Sequence, residues 1–218
     1  MSISGDALII AAHGMDEVLG CGGMMARLAA AGSNVHTLVL FGDGTGADAQ
    51  RRLAGQAAAT VLGTVTPLCC GFPENRGDTV ALLDVIAVVE KAISRIHPAA
   101  IYVPHIGNLN IDHQIAHRAV LTAARPVPNV SAKSIFSYEI LSSTDWAPSN
   151  TPFLPTYFAD ISATLDRKLE ALRHYSAEMR DPPHTRSLDG VRALAQSRGW
   201  SMGLKAAEAF MVLRQIVP

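Results

Sequence analysis

The feature that most constrains the fold is a regular alternation of short apolar runs with longer amphipathic segments. The run "ALIIAA" (7–12) is apolar throughout, which is typical of a strand buried on both faces of a sheet. Further strands are predicted at 34–41, 64–72, 99–105 and 133–141, with a short edge strand at 157–162 and a last strand at 207–216. Helices are predicted at 17–32, 49–63, 79–98, 111–125, 164–179 and 187–199. This order predicts an α/β fold, a Rossmann-like and mostly parallel sheet with helices on both faces.

Composition narrows the class of protein. The 218 residues suit one domain (1–218), and 49% hydrophobic residues supply a large core. A net charge of -1 gives no reason to expect nucleic acid as a partner, so a small-molecule partner is favoured. No apolar run is long enough for a transmembrane segment or a signal peptide, and the three cysteines lack disulfide or metal-ligand spacing. We therefore expect a cytoplasmic protein, and the apolar composition makes a homo-oligomer plausible.

Two predicted strand-to-helix turns carry residues that bind metals. His13 and Asp16 follow the first strand, and Asp112 and His113 open the helix after the fourth. Sites in such sheets lie at the carboxyl ends of the strands, so the two turns face each other if strands one and four are neighbours. His13, Asp16 and His113 could then hold one ion, with Zn²⁺ as first choice and Fe²⁺, cobalt or manganese left open. Taken singly, the histidines could be turn residues and the aspartates helix caps.

A nucleotide-binding function is not favoured. The glycine loop "GDGTG" (42–46) lacks the Gly-Lys-Ser/Thr ending of a phosphate-binding loop. The glycines of "GCGG" (20–23) fall inside the predicted helix rather than before it. A nucleotide-dependent Rossmann enzyme would thus rest on fold analogy alone.

Several longer motifs resemble one family. "AAHGMDEVLGCGG" (11–23) is similar to H-P-D-D-E-x-L-G-C-G-G, the first motif of the PIG-L/LmbE-type N-deacetylases. "GFPENR" resembles the family's G-F-P-D-N-R, and "HIGNLNIDHQ" resembles H-P-G-D-L-N-x-D-H-R. "EMRDPPHTRS" and "AEAF" resemble its C-terminal blocks, so the resemblance extends over nearly the whole chain.

The resemblance implies a metal-dependent hydrolase, typically a zinc enzyme, that removes the acetyl group from N-acetylglucosamine units. It assigns His13, Asp16 and His113 as metal ligands and Asp112 as the acid beside the third ligand. It also assigns Arg76 as a contact to the sugar. Residues that we expect at the substrate besides Arg76 are Asn75, Asn108 and His184.

The departures from the family motifs fall in the same crevice. The family's first aspartate, its presumed general base, is replaced by Met15, and the proline before it by Gly14. In the second motif Asn108 replaces an aspartate and Ile106 a proline. A thioether cannot accept a proton at neutral pH, and loss of a general base typically costs about 10²–10⁴ in rate.

Other groups on the same rim are candidates to replace the missing base. Asp112 is the preferred replacement and His105 a second catalytic candidate, with Asp43 and Glu17 as alternatives. The function predicted first is a zinc-dependent N-deacetylase acting on an N-acetylglucosamine-type sugar or glycoconjugate. The alternative is a remodelled family member that keeps the metal site but binds a sugar ligand or catalyses a different reaction.

Overall fold

The computed structural model describes residues 5–127, 132–147 and 150–217. Seven strands form one sheet in the order β3-β2-β1-β4-β5-β7-β6. The strands are β1 (Ala7–Ala11), β2 (Val35–Phe41), β3 (Leu68–Phe72), β4 (Ala100–Pro104), β5 (Ser134–Tyr138), β6 (Tyr157–Asp160) and β7 (Ala207–Gln215). Strands β1 to β5 pair in parallel, and β7 is antiparallel to both β5 and β6. The predicted α/β fold with a mostly parallel sheet is confirmed.

Helices cover both faces of this sheet. They are α1 (Asp16–Ala30), α2 (Gly46–Leu62), α3 (Leu82–Ile96), α4 (Ile111–Ala123), α5 (Leu165–Arg173) and α6 (Leu188–Trp200). Side chains of β1 alternate between two apolar clusters, Ala7 and Ile9 on one face, Leu8 and Ile10 on the other. The first cluster includes residues of α1, α2, α5 and α6, and the second includes residues of α3 and α4. A strand that is apolar throughout is therefore required at the centre of the sheet.

Some element boundaries differ from the predictions. Strand β3 begins at Leu68 instead of residue 64, directly after Pro67, which has no amide hydrogen for a sheet ladder. Helix α5 ends at Arg173 instead of residue 179. The chain then tightens into a turn in which the Tyr175 amide donates to the Leu172 carbonyl. That turn directs Tyr175 into the core, where its ring is buried.

The sheet order brings the two predicted metal-binding turns together. Strands β1 and β4 pair directly, with Ala7 opposite Ala100 and Ile9 opposite Tyr102. Because the two strands are parallel, the β1–α1 turn and the β4–α4 loop emerge at the same edge of the sheet. In the part of the chain that the structure describes, we find no helix with both the length and the apolar character needed to cross a membrane.

Candidate metal centre

The β1–α1 turn places two potential ligands within one tight loop. Asp16 is the first residue of α1, and its Oδ2 accepts a hydrogen bond of 2.8 Å from the His13 backbone amide. The same oxygen lies 3.6 Å from His13 Nδ1. Between them, Met15 adopts a left-handed conformation with φ of 96°. This conformation is uncommon for a residue with a side chain, and it turns the chain sharply from strand to helix.

The β4–α4 loop supplies the third potential ligand. Asn110 caps α4, and its Oδ1 accepts a hydrogen bond of 2.8 Å from the Asp112 amide. With the cap provided by Asn110, the first turn of α4 directs His113 towards α1. His113 Nε2 lies 3.0 Å from Asp16 Oδ2. Residues from two separate turns thus meet at one point of the crevice.

This donor set fits a divalent metal ion. One potential ligand atom from each of His13, Asp16 and His113 lies within 4.8 Å of the other two. Zinc bonds of 2.0–2.1 Å in a tetrahedron place ligand atoms about 3.3 Å apart, which is comparable to the separations of 3.0 and 3.6 Å from Asp16 Oδ2. Two imidazoles and one carboxylate are the ligand types that zinc and ferrous iron accept.

Asp112 binds the ring nitrogen of His13 that faces away from Asp16. Its Oδ2 accepts from His13 Nε2 at 2.9 Å and from the Asn75 amide at 2.6 Å, while Oδ1 accepts from the Gly77 amide at 2.8 Å. Because an ionised carboxylate only accepts, His13 Nε2 carries the hydrogen and Nδ1 keeps its lone pair for a ligand. Asp112 itself is 0% exposed. A carboxylate that is this enclosed and has three donors suits an orienting role better than that of a free base.

Charges in the site favour a cation. Burial opposes ionisation of Asp16, but His113 and His13 outweigh it and lower the pKa of the carboxyl. Burial likewise opposes ionisation of Asp112, but hydrogen bonds from His13 and the Gly77 amide keep its pKa below the usual value. Burial alone would lower the pKa of His13, yet Asp112 and Asp16 raise it. Two buried carboxylates facing two imidazoles create a negative field that suits a divalent metal ion.

Met15 and Glu17 both point away from open solvent. Met15 is 3% exposed, and its side chain belongs to the apolar cluster between the sheet and α1, α2 and α5. Glu17 is 2% exposed and accepts hydrogen bonds of 2.7 Å from the Tyr175 hydroxyl and 2.9 Å from the Met15 amide. Burial raises the pKa of Glu17 to about 7. Glu17 thus supports the turn from the core side.

His105 and Asn108 lie deep in the β4–α4 loop. His105 Nε2 donates to the Thr151 carbonyl at 3.0 Å, and its ring packs against Phe153. Asn108 accepts a short hydrogen bond from the Thr144 hydroxyl. Among the described residues, neither His105 Nδ1 nor Asn108 Nδ2 has a hydrogen-bond partner. Both side chains are buried, and the side-chain contacts described above are to the segment after β5 instead of to the three potential ligands.

The remaining predicted residues make contacts outside the set of three potential ligands. Arg76 is exposed, while the Asn75 side chain accepts from Asn110 Nδ2 at 2.7 Å. Asp43 is exposed and accepts from the Thr45 amide and hydroxyl, both at 2.9 Å. His184 packs edge-on against the exposed ring of Trp146, with ring centroids 5.5 Å apart.

The structure adds residues that the sequence analysis did not identify. Ser143 Oγ lies 3.3 Å from His113 Nδ1, on the side of the ring opposite Asp16. Beside the β1–α1 turn, Arg51 pairs with Glu74 and, at 3.2 Å, with Glu178. Glu74 occupies the acidic position of "GFPENR", so the motif was a signal for it. Nothing in the sequence pairs Arg51 with residues 23 and 127 positions away.

A family model and a curated relative match this chain. The model of the PIG-L family, described as GlcNAc-PI de-N-acetylase, matches residues 8–124. The chain is 28% identical over 178 residues to the uncharacterized deacetylase YaiS of Escherichia coli K12, covering 78% of this chain and 90% of YaiS.

Two solved structures share the fold at lower identity. The 4-carboxy-2-hydroxymuconate hydratase GalB of Pseudomonas putida KT2440 has a TM-score of 0.79 and 17% identity, covering 98% of each chain. The N,N'-diacetylchitobiose deacetylase of Pyrococcus horikoshii has a TM-score of 0.72 and 19% identity, covering 96% of this chain and 84% of the other. The matched region contains the two predicted metal-binding turns and extends over more than half of the sequence, so the chain belongs to the PIG-L (GlcNAc-PI de-N-acetylase) family.

Proposed function

We propose that this protein is a metal-dependent hydrolase that removes the N-acetyl group from an N-acetylglucosamine-type sugar or glycoconjugate. The observation that carries the proposal is the convergence of His13, Asp16 and His113 at the carboxyl edge of the sheet. Zn²⁺ is the expected ion on ligand type, with Fe²⁺ as the alternative. When bound, such an ion would polarise the acetyl carbonyl and make water a better nucleophile at neutral pH.

The chain's own residues would orient this chemistry. Asp112 would fix the ring of His13, and Ser143 would fix His113, since each contacts the ring nitrogen that faces away from Asp16. Arg76 is exposed in the loop whose amides hold Asp112, and it is the proposed contact to sugar hydroxyls. His184, packed edge-on against Trp146, is proposed as a further contact to the substrate. Under this proposal Asp112 is a positioning residue and does not remove the proton from water.

The experiment begins with metal content. Purified protein is stripped, reloaded with Zn²⁺ or Fe²⁺, and analysed for bound metal per chain, with His113→Asn as the matched variant. We expect one ion per native chain and none in the variant. Acetate release is then measured on N-acetylglucosamine, N,N'-diacetylchitobiose and an aryl N-acetylglucosaminide. Protein that binds one metal ion but releases no acetate from any of them contradicts the deacetylase proposal.

A second candidate is a remodelled enzyme that uses the same metal centre for a different reaction. The observation that favours it is the buried thioether of Met15 at the position of the family's presumed base. A hydratase with this fold is known in GalB, so the fold accommodates chemistry other than amide hydrolysis.

Met15→Asp distinguishes the two candidates. If the native protein is a deacetylase with another base, the substitution changes acetate release by less than about tenfold. If the site was remodelled, the native protein is inert and Met15→Asp creates acetate release. Met15→Asn is the matched control, because asparagine tolerates a positive φ yet cannot accept a proton at neutral pH.

A further inference from the structure

We propose that Arg51 is a positioning residue of the candidate metal centre. It binds the Glu74 carboxylate and thereby fixes the 73–77 loop, whose backbone amides hold Asp112 against His13. The inference rests on the proposed function and deepens it, because orienting His13 matters only if this histidine binds the metal ion. Arg51 acts through other residues and is neither a metal ligand nor a substrate contact.

The 73–77 loop supplies a donor to each oxygen of Asp112. The Asn75 amide donates to Oδ2 at 2.6 Å, and the Gly77 amide donates to Oδ1 at 2.8 Å. Oδ2 also accepts from His13 Nε2 at 2.9 Å, so the loop, the carboxylate and the ring form one hydrogen-bonded chain. Gly77 fits this position tightly, since a Cβ on it would stand 2.7 Å from Asp112 Oδ1. Displacement of the loop would remove both backbone donors and free the carboxylate that orients the ring.

The middle of this loop is supported from outside. Residues 73–76 lie between β3 and a 3₁₀ turn at Gly77–Thr79 and belong to neither. Asn75 has a left-handed backbone with φ of 55°, which is uncommon for a residue with a side chain. Its side chain accepts a hydrogen bond of 2.7 Å from Asn110, the cap of α4, while Glu74 is bound to a residue of α2. Contacts to two helices thus hold the loop in the conformation that presents the Asn75 amide.

Arg51 is itself held in place. Its guanidinium binds Glu74 and, at 3.2 Å, Glu178, and its Nη2 lies 3.8 Å from Asp48 Oδ1. The Arg51 side chain is 11% exposed, so these pairs are screened less by water and salt than pairs on an open surface. A planar guanidinium presents several donors in a fixed geometry. One side chain therefore joins the loop to α2 and to the segment after α5.

The charges around Arg51 favour a positioning role over substrate binding. Arg51 faces three carboxylates, so its positive charge is neutralised within the chain. Arg76, in the 73–77 loop, is exposed and remains the proposed sugar contact. Arg52, the neighbour of Arg51, pairs at 3.0 Å with Asp48 of the same helix. Among the residues that the structure describes, Arg52 has no ion pair with the 73–77 loop, which makes it the matched control.

The first test needs neither metal nor turnover. Hydrogen exchange of individual backbone amides is measured by NMR in metal-free protein. We expect Arg51→Met and Glu74→Ala to speed exchange of the Asn75 and Gly77 amides about tenfold, because loss of a hydrogen bond between charged groups frees the loop. The amides of β1, which report global unfolding, should exchange as in native protein. Glu74→Ala keeps the pair of Arg51 with Glu178 and serves if Arg51→Met does not fold. Native exchange rates at both loop amides in Glu74→Ala overturn the inference.

The second test measures zinc affinity by competition with a fluorescent chelator. We expect Arg51→Met and Glu74→Ala to weaken zinc binding about fivefold, less than the roughly 10–100-fold typical of losing a group in contact with a ligand histidine. Arg52→Met, which removes a more exposed pair, should stay within about twofold of native affinity. In an Asp112→Asn background, Arg51→Met should have no further effect, because its influence passes through Asp112.

The outcomes separate this inference from the proposed function. Native zinc affinity in Arg51→Met, or an equal loss on adding Arg51→Met with and without Asp112→Asn, overturns the positioning role. An equal loss in Arg52→Met also overturns it, since a general effect of positive charge on α2 would then explain the result. A native protein that binds no zinc contradicts the proposed metal-dependent function instead.

Discussion

Helix α1 contacts two buried polar networks that are built in opposite ways. At its first turn, Asp16 meets His13 and His113. Within the next two turns, the helix meets Lys168 of α5 and Glu208 of β7, whose charged groups lie 2.7 Å apart. Both networks are shielded from water, so each must balance its own charges.

The second network is closed. Lys168 Nζ donates to the Leu19 carbonyl at 2.7 Å, and Glu208 accepts from the amides of Gly23 at 2.8 Å and Met24 at 2.7 Å. In a regular α-helix the Gly23 amide donates to the Leu19 carbonyl. Lys168 and Glu208 therefore each contact one end of the same backbone hydrogen bond of α1. The charges are opposite and the donors have acceptors, so this network needs nothing from outside the chain.

The first network is open. Its carboxylates face imidazoles instead of a lysine or arginine, and the ring nitrogens nearest Asp16 converge on one point. The way in which charge is neutralised therefore distinguishes a structural cluster from a candidate metal site. A structural cluster is neutralised by its own residues, whereas the site presents lone pairs and negative charge that a metal ion would neutralise.

The largest expected effect is on the closed network. Lys168→Met leaves the Glu208 carboxylate buried without a positive charge beside it, which should lower the free energy of unfolding by about 3–5 kcal/mol. Urea denaturation of metal-free protein measures it. Adding Glu208→Gln removes the stranded charge and should recover part of the loss, with zinc stoichiometry unchanged.

The control for this prediction is another ion pair of helix α5, which also carries Lys168. Arg173 pairs with Glu170 at 2.7 Å, but both side chains are more than half exposed. Arg173→Met should change the free energy of unfolding by no more than about 0.5 kcal/mol. A loss of several kcal/mol there would mean that position on α5, and not burial of charge, determines the effect.

The next largest effect is expected at the open network. Because a ligand that binds only the folded state stabilises it, free zinc at about 1,000 times its dissociation constant should raise the free energy of unfolding by about 4 kcal/mol. Thermal or urea unfolding with and without zinc measures the shift. His113→Asn should abolish the shift while its metal-free stability stays near that of the native protein. An equal zinc shift in His113→Asn would exclude this histidine as a ligand.

The contrast also explains what could be predicted from the sequence. The apolar run of β1 and the spacing of His13 and Asp16 are local, so the central strand and the turn that holds both residues could be predicted directly from the sequence. Lys168 was invisible as a core residue, because its partner Glu208 lies 40 positions away and a lone lysine reads as a surface residue. The same limit applied to the pairing of Arg51 with Glu74, because the two residues lie 23 positions apart.

For Asp112 the sequence predicted the position but not the hydrogen-bond partners. The sequence placed it correctly beside His113, and the preferred interpretation was a replacement base. Its neighbours, the amides of Asn75 and Gly77, lie 37 and 35 positions earlier in the chain, and only the fold brings them to Asp112. Sequence thus located this acid but did not specify the three donors that hold it.

Asp112→Asn tests the orienting role. Loss of the carboxylate behind His13 should weaken zinc binding about 10–100-fold, as is typical of groups that orient metal ligands. Competition with a fluorescent zinc chelator measures the affinity, and circular dichroism checks that the variant is folded. Unchanged zinc affinity with lost acetate release would instead restore Asp112 as the base.

The smallest effect should come from Ser143→Ala. Ser143 contacts His113 as Asp112 contacts His13, but its hydroxyl is neutral and the distance is 3.3 Å instead of 2.9 Å. A neutral hydrogen bond contributes about 0.5–1.5 kcal/mol, so zinc affinity should fall no more than about tenfold and less than in Asp112→Asn. The same chelator competition compares the two variants. If Ser143→Ala weakened zinc more than Asp112→Asn, charge behind a ligand would matter less here than ring position, and the negative field of the open network would not explain its affinity.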